Sequence, residues 1–225
     1  MWSLAGQIAF WAEEAGATNV TLVDAVDPSD EFLAEHTRRN SKVTYIQADL
    51  HEPASIELIG PHDVVWCTGV LYHTPHPFLQ VEHLRRLTQE KLVLGTHVIP
   101  EVPGFPGASV FYPLLEDSAR DAYGSVYDDQ LRMAVKQPFS FEPGHEYANW
   151  WWGLTPSALR AMISLAGLEI IEEYQPEPLF MDIVAKPSGS DWHSPAVDYH
   201  RLRGLRRMEA LRDAPRPAWA PPPPR

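Results

Sequence analysis

The sequence predicts a doubly wound α/β fold, a mostly parallel sheet covered by helices on both faces with an antiparallel strand near its C-terminal end. Three observations carry this. Between residues 3 and 99, helical periodicity alternates with short β-branched runs, the pattern of βαβ units. The run Leu92-Val93-Leu94 is apolar on both faces, as a buried parallel strand requires. Two adjacent strand-like runs at residues 168–186 then read as an antiparallel pair.

Each element has its own signal. Ser3 to Gly16 reads as a helix with Ile8, Trp11 and Ala12 at helical spacing and Gly16 as its stop. Asn19–Asp24 is a short β-branched strand. Asp30–Arg39 follows as a helix with Asp30 in the capping position. Val43–Gln47 is a strand leading into Ala48-Asp49, and Pro53–Ile59 a short helix. Asp63–Thr68 is a third strand; Phe78, Val81, Leu84 and Leu87 line the next helix, and Lys91–Ile99 is a fourth strand. Residues 100–148 are rich in Pro, Gly and aromatics, with a helical patch only near 115–123, which reads as a lid or insertion. Thr155-Pro156 opens a helix with an apolar stripe of Leu159, Met162, Ile163 and Ala166, and Gly167 closes it. Leu168–Tyr174 and Leu179–Lys186 are the final strands.

At 225 residues and 44% apolar content the chain suits one sizeable domain, placed at residues 1–186. Residues 187–225 form a basic, Pro-rich tail that cannot build a core and is expected to stay extended. The net charge of −12 is uneven: residues 1–186 hold 11 Lys/Arg against 26 Asp/Glu, a balance of −15. That argues against a broad nucleic-acid face while leaving a local basic patch open. The single cysteine, Cys67, fits a reducing, cytoplasmic setting. The N-terminal stretch carries Glu13-Glu14 and no basic leader, and no apolar run reaches the length of a membrane span. Ten histidines are present, yet no compact metal-ligand spacing appears, so no metal is expected.

Open parallel sheets bind ligands beyond the carboxyl ends of their strands. Three such ends carry polar residues here: Asp24, then Asp49, then the loop Thr68-Gly69-Val70-Leu71-Tyr72-His73. An acid at the first position can accept the two hydroxyls of a ribose, and one at the second can receive the exocyclic amine of an adenine. The third loop borders the reactive end of such a ligand. An isolated Asp after a strand is more often a turn former. The weight lies on three in succession.

These residues resemble the class I S-adenosylmethionine-dependent methyltransferases, whose fold is Rossmann-like. Asp24 matches the acid after that family's second strand, Ala48-Asp49 the adenine-side pair, and Gly69–His73, GVLYH, a recurrent loop after its fourth strand. The likeness is nearest to the branch containing the tRNA wobble-uridine carboxymethyltransferases, where a strand reading LVLET-V-I follows; this chain has Leu92-Val-Leu-Gly-Thr-His-Val-Ile99. A further match is Asn149-Trp-Trp-Trp-Gly-Leu-Thr-Pro156 to that branch's Asn-aromatic-aromatic-x-Pro-Ser helix start. The resemblance covers residues 4–186 and implies S-adenosyl-L-methionine as cofactor, contacted by Gly6, Asp24, Ala48, Asp49, Thr68, Gly69 and Tyr72. It also implies a first strand and Gly-rich loop that this sequence lacks, with only Gly6 left near the helix start. The natural reading frame is therefore expected to extend upstream.

Methyl transfer from a sulfonium depends mostly on positioning, with a base needed only where the acceptor must lose a proton. His73 is the candidate base; His76, His145, Trp150 and Trp151 are candidates for the acceptor side. The basic partners needed to hold a carboxylated cofactor are not recognisable, so plain methyl transfer to a small molecule or saccharide is the expected activity. The competing readings are a truncated, non-catalytic binding protein and a tRNA-modifying (carboxy)methyltransferase. A nicotinamide-dependent oxidoreductase would need a Gly-rich fingerprint one strand earlier.

Overall fold

A computed structural model of the chain describes residues 6–113 and 149–189, with the single positions Glu116, Ser118, Ser140, Glu142 and Trp192. The chain divides into two compact units, Met1–Ser190 and Asp191–Arg225. The expected extended tail at 187–225 is corrected at its start: Pro187 ends the last strand, the Ser188 amide donates to the Gly167 carbonyl at 3.0 Å and Arg85 donates to the Gly189 carbonyl at 3.1 Å. Beyond Gly189 only Trp192 of the tail is described, and the expected patch at 115–123 is described only at Glu116 and Ser118.

Helix α1, Gln7–Glu14, begins at Gly6, whose φ of 78° is left-handed. A β-carbon there would meet the Phe32 ring at 2.6 Å, so the residue is glycine for packing as well as for conformation. Strand β1, Thr21–Asp24, runs parallel to β2, Thr44–Gln47, with Asp24 opposite Gln47. Helix α2, Asp30–Arg39, is capped by Ser29 rather than Asp30: the Ser29 hydroxyl accepts the Phe32 amide at 3.1 Å. Asp30 instead sits in the first turn, where its charge complements the helix dipole. Phe10 of α1 and Phe32 of α2 stack at 5.5 Å and, with Ala9 and Val43, form a small core beside this ladder.

Helix α3, Pro53–Ile59, leads into β3, His62–Thr68, and α4, Pro77–Leu87, passes directly into β4, Thr88–His97. The β4 strand thus starts three residues before the expected Lys91 and four before the apolar run Leu92-Val93-Leu94. A short ribbon of β5, Ser109–Phe111, and β6, Trp152–Leu154, precedes α5, Pro156–Leu165. Thr155 caps α5 through the Ala158 amide at 3.2 Å. The hairpin β7, Leu168–Glu177, and β8, Phe180–Pro187, closes the sheet.

The larger sheet has the order β3-β4-β8-β7, with β3 parallel to β4 and β8 antiparallel to both neighbours. One face carries Cys67, Leu92, Leu94, Met181, Ile183 and Ala185 into a core completed by Val81 and Leu84 of α4 and Leu159 and Ile163 of α5. The opposite face, by strand alternation, carries Trp66 and Thr68, Gly95 and His97, and Phe180 and Asp182. Among the described residues β1-β2 and β3-β4 share no ladder, so the parallel sheet is in two pieces. A side-chain hydrogen bond from the Thr21 hydroxyl to His62 Nε2, 3.1 Å, reaches across. Val64 and Trp66 of β3 are each 54% exposed.

Candidate active site at the strand ends

The carboxyl ends of β1 and β2 lie side by side, because the Ala48 amide donates to the Asp24 carbonyl at 2.8 Å. Both acids that follow are exposed. Asp24 has one weak contact, accepting the Val26 amide at 3.4 Å, which leaves its carboxylate open. Asp49 Oδ1 accepts the His51 amide and His51 Nδ1, each at 2.8 Å. Partial burial would raise the Asp49 pKa, but these hydrogen bonds from His51 outweigh it and hold the carboxyl below its ordinary value.

The sequence reading overlooked His51, which ties this end of the site to the next. With Nδ1 donating to Asp49, Nε2 accepts the hydroxyl of the buried Thr74, and Thr74 Oγ1 in turn accepts the His76 amide at 3.1 Å. The polar chain Asp49–His51–Thr74 thus joins the loop after β2 to the loop after β3. His76 itself is exposed, its ring 6.0 Å from that of His51.

Beyond Thr68 and Gly69, the chain turns through a short 3-10 segment, Leu71–His73. Tyr72 is buried, and its hydroxyl points back toward Gly69, 3.9 Å from where a β-carbon would sit. Burial raises its pKa. His73 Nδ1 must donate to the Asn149 carbonyl, 3.0 Å away, which leaves a lone pair on Nε2. Burial depresses the His73 pKa, so the ring is neutral at physiological pH.

A second imidazole, missed by sequence reasoning, is built the same way. His97 Nδ1 donates to the Leu179 carbonyl at 3.1 Å, and burial lowers its pKa to about 4. Its ring lies 4.8 Å from Tyr72, 4.6 Å from Trp150 and 5.3 Å from Phe180, while Tyr72 and Trp150 are 4.4 Å apart. The three tryptophans divide their work. Trp150 belongs to this ring cluster. The Trp151 amide donates to the Tyr72 carbonyl at 2.9 Å, and Trp152 Nε1 to the Pro75 carbonyl at 3.1 Å. The latter two pin the loop after β3; the Trp151 ring packs on Phe111 at 6.2 Å instead of joining the cluster.

Of the expected site residues, the structure groups Thr68, Gly69, Tyr72, His73 and Trp150 on one side and Asp24, Ala48 and Asp49 on the other, linked through His51 and Thr74. Gly6 has its β-carbon position filled by Phe32, so any part it plays in a cofactor site is through its backbone. His145 lies outside the described residues. Cys67 is buried with its thiol pushed up to about 12, an inert core residue. No group of three or more His, Cys, Asp or Glu among the described residues could hold a metal.

This fold, with its polar loops at the carboxyl ends of parallel strands, is that of the class I S-adenosylmethionine-dependent methyltransferases. Residues 3–92 match the family model described as Methyltransferase domain. Among solved structures, the chain is similar to the 1,6-didemethyltoxoflavin-N1-methyltransferase of Burkholderia thailandensis, bound to 1,6-didemethyltoxoflavin and S-adenosylhomocysteine. The TM-score is 0.54 at 13% identity, over 83% of this chain and 68% of that one. It is also similar to a putative methyltransferase from Bacillus halodurans, with a TM-score of 0.52 at 14% identity over 83% and 90% of the two chains. A third likeness is to magnesium protoporphyrin IX methyltransferase from Synechocystis with bound S-adenosylhomocysteine, at 0.51 and 16% over 82% and 70%. No curated protein matches the chain in sequence.

Proposed function

We propose that this protein is a cytoplasmic S-adenosylmethionine-dependent methyltransferase acting on a small molecule or saccharide. The supporting observation is the convergence at the strand ends: an open carboxylate, a second carboxylate held by His51, and a loop whose Tyr72 and His73 face a wall of rings. The residues fit the cofactor. Asp24 is free to accept ribose hydroxyls, Asp49 has its second oxygen left to receive an adenine amine, and the Tyr72 hydroxyl lies beside Gly69. When bound, the cofactor supplies a methyl group on a sulfonium, an excellent leaving group.

The chain's own residues then have limited tasks. Tyr72, Trp150 and His97 pack closely enough to keep water from one side of the acceptor. His73, neutral and with Nε2 unprotonated, takes a proton from an acceptor that must lose one. Its Nδ1–H···O=C bond to Asn149 fixes that tautomer. The acidic balance of −15 over residues 1–186 favours these acceptors over tRNA. Among the described residues no helix is long and apolar enough to cross a membrane.

The test is methyl transfer from methyl-labelled S-adenosylmethionine across a panel of small molecules and saccharides. His73→Gln keeps a donor for the Asn149 carbonyl but no base. For hydroxyl acceptors it should lower turnover ~10²–10⁴-fold with little change in KM. Unchanged turnover would remove His73 from the chemistry. A non-catalytic binding role is the second reading, favoured by the divided sheet; under it no acceptor in the panel gains label.

A further inference from the structure

We infer that Asp182, Phe180 and His97 form a subsite for a cationic amine carried by the methyl acceptor. The inference rests on the methyltransferase reading and adds a substrate class to it.

The geometry begins with a row across three strands. Thr68 of β3, Gly95 of β4 and Asp182 of β8 are register partners, and His97 pairs with Phe180 one step further. The side chains lean over the glycine. A β-carbon at Gly95 would lie 2.5 Å from Asp182 Oδ1, 2.8 Å from Thr68 Cγ2 and 3.2 Å from Phe180 Cε1. The absence of a side chain at Gly95 is what lets a carboxylate and an aromatic edge meet there, next to the Thr68-Gly69 strand end where the reacting end of the cofactor is placed.

Asp182 has no hydrogen bond or ion pair among the described residues, although it is half-buried. Every other carboxylate singled out at these strand ends has a donor. Partial burial raises the Asp182 pKa, the mark of a carboxylate losing water without gaining a partner. Such a group is costly unless a counter-charge reaches it, and here the counter-charge can come with a ligand. The surroundings select an organic cation over a metal. Phe180 and His97 meet edge to face at 5.3 Å, with Trp150 and Tyr72 behind His97. Aromatic rings beside a carboxylate attract an ammonium through both its charge and its apolar substituents. His97 Nε2, left unprotonated by the Nδ1–H bond to Leu179, can accept one N–H. A domain carrying −15 also draws cations toward its surface.

The same ammonium chemistry could come from the cofactor's own amino group, so the experiment separates the two. Calorimetry on the full chain at saturating S-adenosylhomocysteine would compare benzylamine with benzyl alcohol, its neutral isostere. The wild type should prefer the amine by at least ~10-fold, the equivalent of one charge-assisted contact. Asp182→Asn should abolish that preference and leave S-adenosylhomocysteine affinity within about twofold, and Phe180→Leu should weaken the amine several-fold. No preference in the wild type, or a preference that survives Asp182→Asn, would overturn the assignment. So would a parallel loss of S-adenosylhomocysteine binding in Asp182→Asn, which would give the carboxylate to the cofactor. Failure of S-adenosylhomocysteine to bind any variant, with the amine preference intact, would count against the methyltransferase reading and leave the amine subsite standing.

Discussion

The strand-end histidine His97 makes a quantitative test of the ring cluster. Its pKa falls from an ordinary 6.5 to about 4, chiefly because burial disfavours the imidazolium. Below pH 6.5 the unfolded chain takes up a proton that the folded chain refuses. Stability is therefore complete above pH 6.5, declines as the pH falls toward 4, and levels off beneath it. At ~1.36 kcal/mol per pH unit the interval corresponds to roughly 3 kcal/mol. The ring is only half-buried, so solvent screening reduces the expected effect to about 1–2 kcal/mol. The perturbation is His97→Asn, whose side-chain amide can still donate to the Leu179 carbonyl. Urea unfolding followed by tryptophan fluorescence at pH 7.5 and 4.5 gives the comparison. Asp49 titrates in both chains, so its contribution cancels in the difference, while the smaller repulsion between His73 and His97 is counted with the His97 effect. The wild type should lose about 1–2 kcal/mol more than the variant on acidification. Equal losses would mean that water reaches the ring freely and that the cluster is looser than the structure shows.

Two other substitutions follow from the geometry. Asp24→Ala should weaken S-adenosylhomocysteine binding by ~1.5–3 kcal/mol, since the carboxylate would accept both ribose hydroxyls, and Asp49→Ala should cost less because an adenine amine is a neutral donor. Calorimetry checks both, and an Asp24→Ala chain with wild-type affinity would displace the ribose from that strand end. Gly153→Ala places a methyl group against the Tyr112 hydroxyl and 2.8 Å from Ile99 Cγ2, so denaturant unfolding should show a loss of about 1–3 kcal/mol.

Local patterns were legible where the reason was local. Thr155-Pro156 starts a helix and Leu159 and Ile163 face the core because capping and helical period act over a few residues. At Ser29-Asp30 two capping residues stand together, and the rule alone could not choose between them. The strand at Trp152–Leu154 was hidden because its partner, Ser109–Phe111, lies across the whole irregular segment. The site divides along the same line. Asp24, Asp49 and Tyr72 sit at strand ends that periodicity can locate. Asp182, Phe180 and His97 become neighbours only through the β4–β8 register, which links residues more than eighty positions apart. His51 was within reach: an Asp-x-His at a strand end is a short-range pair that could have been flagged.

The central claim is that the strand ends of this divided sheet bind S-adenosylmethionine, and titration with S-adenosylhomocysteine tests it most directly. Calorimetry on the chain should give one saturable site per molecule, weakened by Asp24→Ala and unaffected by a surface control such as Glu177→Gln. No heat and no rise in melting temperature at millimolar ligand, from a chain that unfolds cooperatively, would contradict it: the fold would then be present without the function.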